Sequence, residues 1–176
     1  MRSSSVVAGV LAAVVLTAGV VVAEGPSDFC ARVMVGTERV DPLAMRGSTF
    51  SARQVEDLRF LVVFLNPVQG EHLLELRLKT PRGQLYESLS VPFTTVRVER
   101  GAERAVAGYP RPLPLHAVQQ VQVREGAKQG VSVQMSLPVA GTTIMTDALY
   151  GSWEIQLVLD GAPMGCEVRN FFVLTE

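Results

Sequence analysis

The chain has 176 residues, 48% of them apolar, 19% charged and 6% aromatic, with 16 basic side chains against 17 acidic ones. Such a composition can bury a core and excludes collagen-like and disordered chains, while the balanced charge offers no field to a nucleic-acid backbone or an anionic membrane surface. With the uncharged run at its start set aside, about 150 residues remain, room for one ordinary domain and too few for a multidomain enzyme.

Met1 and Arg2 give a short positive start, and Ser3 to Ala23 carries no charge, with Val, Ala, Leu and Gly dominating from Val6 to Val22. A run of this kind partitions into the translocon and reads as a secretory signal. Val21-Val22-Ala23 ahead of Glu24 presents small residues where signal peptidase reads them. Residues 1–23 are therefore expected to be a signal peptide and 24–176 the domain, placed in the periplasm, on the cell surface or outside the cell. The alternative is an uncleaved anchor, because a helical run this long, at about 1.5 Å per residue, crosses about 30 Å of hydrocarbon. Cys30 follows Ser27-Asp28-Phe29, which is no lipobox, so a lipoprotein is not expected.

Only Cys30 and Cys166 occur, close to the two ends of the domain. Export makes a disulfide between them the first expectation, with two separate buried thiols as the alternative. Closing so long a loop stabilises a fold by about 5 kcal/mol in the chain-entropy model. Two cysteines with the distant His72 and His116 make too poor a set for zinc, which takes four ligands.

From Phe29 onward the apolar period is two, and Gly, Pro or Asn separates the runs, which predicts an all-β domain. Leu58, Phe60, Val62 and Phe64 share one face of a strand whose other face carries Leu61, Val63 and Leu65, so it should be covered on both sides. Asn66-Pro67 ends it. His72, Leu74, Leu76 and Leu78 alternate with Leu73, Glu75, Arg77 and Lys79. The turn Thr80-Pro81-Arg82-Gly83 then leads to a partner strand over Gln84 to Val91. Val96 and Val98 suggest another short strand. Glu99 to His116, with Pro110, Pro112 and Pro114, has no sustained alternation and reads as a surface excursion. Val121 and Val123 match Val131, Val133, Met135 and Leu137 across a short loop, a second hairpin with Ser132, Gln134 and Ser136 facing out. In the closing segment Trp153, Ile155, Leu157 and Leu159 share a face, and Asp160-Gly161 supplies the turn of a hairpin to the last strand. The runs add up to about seven to nine strands, with the core drawn from Phe60, Val62, Phe64, Leu74, Leu76, Val133, Met135, Trp153, Ile155 and Leu157.

The tail Gly151-x-Trp153-x-Ile155-x-Leu157, with Leu159-Asp160-Gly161 and a final Phe172-Val173-Leu174, resembles the last hairpin of immunoglobulin-like domains in bacterial exported proteins. Leu137-Pro138-Val139-Ala140-Gly141 with Asp147 and Tyr150-Gly151 resembles the approach to that hairpin, and Thr80 to Tyr86 resembles a mid-domain hairpin of the same class. The central cysteine bridge of antibody domains has no counterpart here. The resemblance implies a single antiparallel sandwich of two sheets in which Trp153 plugs the core, an architecture used for adhesion, scaffolding and partner binding.

Catalytic chemistry finds little footing. A Ser nucleophile needs a base and an orienting group, and neither His72 nor His116 stands in a supporting motif. Gly151-Ser152-Trp153 is not the Gly-x-Ser-x-Gly elbow. Glu56 and Asp57 are neighbours in the chain, so on a strand they point to opposite faces and cannot cooperate as acid and base. No enzyme activity, metal or cofactor is expected, and the partner expected is another extracytoplasmic protein rather than nucleic acid. The surface expected to meet it is the Glu99–His116 excursion, with Arg104, Tyr109, Arg111 and His116, since loops on a rigid scaffold commonly carry recognition. The alternative is a chaperone-like role in which an unpaired strand edge takes an extended client segment. A hydrolase with a site assembled from scattered Asp, Glu and His is the remaining reading.

Overall fold

A computed structural model of the protein describes residues 30–37, 49–123, 128–164 and 170–176. The leader with its cleavage point, Cys166 and the loop around Gly126 lie outside the described residues. Alternation along extended backbone places every second side chain on one face, and the regular elements follow from it. In chain order they are β1 (Ala31–Gly36), β2 (Thr49–Ser51), β3 (Asp57–Phe64), β4 (Glu71–Lys79), β5 (Leu85–Thr94), β6 (Glu103–Arg104), β7 (Leu113–Pro114), β8 (His116–Ala117), β9 (Gln119–Val123), β10 (Lys128–Pro138), α1 (Thr143–Thr146), β11 (Gly151–Leu159), β12 (Ala162–Pro163) and β13 (Asn170–Thr175). The described chain is thus all-β apart from the single turn of α1.

The strands form two main sheets. One has the order β1-β3-β10-β9, and the other β2-β13-β11-β4-β5-β8 with β12 beside β11. Leu58, Phe60, Val62 and Phe64 of β3 share one buried cluster with alternate residues of β10, β4 and β11, and all ten residues expected in the core belong to it. Aromatic rings bridge the two sheets: Phe60 meets Phe172 edge-on at 5.7 Å, and Phe64 meets Phe93 at 5.4 Å. On the other face of β3, Leu61 and Val63 are 4% and 5% exposed, so the strand is covered on both sides there, but Leu65, expected to share that cover, lies just past the end of β3 and is 41% exposed.

Trp153 is fully buried, lies parallel to Phe172 at 5.7 Å and takes Tyr86 edge-on at 5.2 Å. Its indole N–H donates to the Leu149 carbonyl at 2.9 Å, which satisfies the one polar atom the ring brings into the core. Gly151, two residues earlier, has φ +129°, and a β-carbon there would stand 3.0 Å from Cβ of Pro81. Only glycine holds that conformation at that distance from the Thr80–Gly83 turn. The turn itself closes with Gly83 N–H on the Thr80 carbonyl at 2.8 Å.

Several details differ from the sequence reading. The sequence predicts about seven to nine strands and the described residues form thirteen, because β2, β6, β7, β8 and β12 are pairings of only two or three residues that leave no alternation to read. The sheets are not purely antiparallel, because β2 joins β13 and β8 joins β5 in parallel, each over two or three residues at a sheet margin. Both β2 and β8 arrive after long connections, which is what parallel pairing requires. Val96 and Val98 form no strand. β5 runs on to Thr94, the hydroxyl of Thr94 takes the Val96 amide at 3.2 Å, and Val96 is left 62% exposed. The 99–116 excursion contains a small ribbon of its own, β6 paired with β7. Asp160 and Gly161, with φ +50° and +85°, turn β11 first into the two-residue β12 before the chain reaches β13. Positive φ at both positions is the geometry of a tight hairpin turn.

Candidate strand-accepting edge

In an antiparallel pair the backbone groups of successive residues point to opposite sides, so one hydrogen bond fixes the phase of a whole strand. The Leu65 amide donates to the Cys30 carbonyl at 2.8 Å, so odd residues of β3 turn their N–H and C=O toward β1 and even residues turn toward β10. Phe64, Val62, Phe60 and Leu58 lie opposite Val131, Val133, Met135 and Leu137. The odd residues of β10 therefore bond to β3, and Ser132, Gln134, Ser136 and Pro138 turn theirs to the far side. Ser132 meets Gln119 of β9 there, and β9 pairs no further along. Beyond it, Gln134 and Ser136 present two amides and two carbonyls that no strand pairs among the described residues. Pro138, with no N–H to offer, ends the open stretch.

A cleft of about 320 Å³ lies alongside this stretch. Core residues Phe93, Val133 and Met135 and half-buried Val118 give it apolar walls, and Gln134, Ser136 and Leu61 line it as well. Among the described residues Arg59 and His116 are the only ionisable side chains lining it, and no carboxylate of those residues does. Arg59 lies opposite Ser136 on the outer face of the sheet, 3.6 Å from Asp57, with both side chains about 40% exposed. An exposed pair of that length contributes at most about 1 kcal/mol, so the guanidinium is open to a better partner.

The margin of β5 in the other sheet is treated differently. Thr95 N–H donates to the Gly70 carbonyl at 3.0 Å, which makes the even residues of β5 the outward ones. Pro92 brings no donor to that margin. The Ser88 carbonyl accepts the Tyr109 hydroxyl at 3.4 Å, and the Thr94 carbonyl accepts the Val118 amide at 3.1 Å. The proline-rich excursion is thus a strap along β5, blocking an edge that would otherwise invite pairing.

The four residues expected to form a recognition loop separate. His116 reaches the cleft. Tyr109 caps β5 by its hydroxyl, and Arg111 is exposed. Arg104 Nε pairs with Glu71 at 3.4 Å, while its Nη1 is buried without a hydrogen-bond partner among the described residues. His72 sits between the Asp160 carboxylate at 2.7 Å and the Gln69 carbonyl at 2.9 Å, against the Phe93 ring. Asp160 also accepts the Leu73 amide at 2.8 Å, so this cluster ties a turn to β4. Among the described residues no three His, Cys, Asp or Glu side chains converge as metal ligands.

Sequence reasoning placed Ser132, Gln134 and Ser136 on a solvent face; Ser132 is instead buried at 2% exposure, because β9 lies beside it and the Gln119 carbonyl accepts its hydroxyl, and the reading missed that the backbone groups of Gln134 and Ser136 lie at an edge. The signal was present in the run lengths: the alternation through Val121 and Val123 is much shorter than that through Val131 to Leu137, so one strand of the hairpin had to overhang the other.

No protein family, curated protein or solved structure matches this chain. Among the described residues no helix is long and apolar enough to cross a membrane.

Proposed function

We propose that this is a non-enzymatic, exported immunoglobulin-like β-sandwich that binds another extracytoplasmic protein by accepting an extended segment of it beside β10. The observation that supports the reading is the combination of a ladder at Gln134 and Ser136, unpaired by any strand among the described residues, and an adjoining apolar cleft, on a molecule that caps the margin of β5. Strand addition draws affinity from backbone hydrogen bonds and selectivity from pockets under alternate side chains, and both parts are available here. The signal-like leader supports export, and the same reading carries a bridge between Cys30 and Cys166.

Because the Gln134 amide points away from β3, Gln134→Pro removes one guest-facing donor and leaves the β3 ladder whole. Proline is tolerated in this phase of an edge strand. In the purified domain the Gln134 and Ser136 amides should exchange with solvent quickly, and saturating extended peptide should protect them, while Met135 stays protected throughout. Gln134→Pro should keep the parent's thermal unfolding and lose peptide capture. Capture undiminished in a folded Gln134→Pro variant would remove β10 as the acceptor.

A further inference from the structure

Resting on that reading, we infer that the segment accepted by β10 carries an apolar residue beside an acidic one. A guest strand placed in line with β9 exchanges hydrogen bonds with Gln134 and Ser136, so its residue opposite Met135 has the inward phase. That side chain enters the cleft among Phe93, Val118 and Met135, all apolar. A polar group there would lose water without a partner, so the inward residue is aliphatic or aromatic.

The neighbouring guest residue, opposite Ser136, shares the outer face with Ser136 and Arg59. Two strand spacings, about 9.6 Å, separate its backbone from that of Arg59. Ser136 is small and stands between them, so an arginine and a glutamate can meet across it. Among the described residues Arg59 has only the half-exposed Asp57 as an ion-pair partner, at 3.6 Å, and no carboxylate of those residues lines the cleft to repel an acidic guest. Arginine also offers a planar fork that matches a carboxylate. Charge complementarity therefore selects Glu or Asp at this position, with an arrangement of alternate apolar residues that an exposed strand of a partner protein supplies.

The test uses labelled heptapeptides of sequence Thr-Val-Glu-Leu-Glu-Val-Thr, symmetric so that either strand direction presents the same pattern, with Gln or Lys in place of both Glu residues. Fluorescence anisotropy with the mature domain should give an affinity for the Glu peptide up to about fivefold above that for the Gln peptide, with the Lys peptide weakest. The preference should shrink as salt is raised, and Arg59→Gln should bring the three affinities together. Equal binding of the Glu and Lys peptides to the parent domain would overturn the acidic preference while leaving strand addition in place. If none of the three binds, or if all bind Gln134→Pro as well as the parent, the functional reading fails and this inference goes with it.

Discussion

Trp153 shows how one side chain is bound to the residues on either side of it in sequence. Gly151 gives the backbone a conformation and a closeness to Pro81 that a β-carbon forbids, and the strand leaving it delivers the indole between Tyr86 and Phe172. Leu149, just before, supplies the carbonyl for the indole N–H. Trp153→Ala should lower the unfolding free energy by about 3–5 kcal/mol, measured by urea titration, because the rigid neighbours cannot fill the space. Trp153→Phe should cost less, since it keeps much of the volume and loses the bond to Leu149. The Gly151-x-Trp153 spacing and the alternation after it were readable in the sequence because they are local. Tyr86 was not readable as the edge-on partner, since nothing in a sequence states which hairpin lies under which.

At the scale of elements, the two strand margins on the side where β5 and β10 approach each other differ in a way composition does not announce. The prolines of 99–116 were legible as a break in the alternation, but their use as a strap depends on the phase of β5, which only the Thr95 to Gly70 bond reveals. Pro92 and Tyr109 each deny that margin a pairing position. Replacing them together, as Pro92→Thr with Tyr109→Phe, should leave stability within about 1.5 kcal/mol of the parent, the usual worth of one hydrogen bond. It should also make the protein self-associate with rising concentration, seen as a growing sedimentation coefficient. The parallel placements of β2 and β8 were invisible in the sequence for a related reason. A pairing of two or three residues at the margin leaves no periodic trace, and its position is set by the connections on either side.

For the whole molecule, the all-β character and the residues of the core were carried by period-two alternation, which survives any strand order. The order itself was not, because β3 is equally apolar wherever it is central. Under the proposed export, a bridge from Cys30 to Cys166 would tie the strand that opens the first sheet to the segment leading into β13 in the second. Reducing it, or making Cys166→Ser, should lower stability by up to about 5 kcal/mol. Calorimetry with and without reductant would measure the loss, and identical unfolding in both conditions would argue for two independent thiols instead.

Gln119 at one end and Pro138 at the other frame the bare stretch of β10 like bookends. Whatever occupies the space between them is held to a few residues. A berth of that kind admits a single short visitor per molecule and discourages the open-ended stacking that a longer naked ladder would seed.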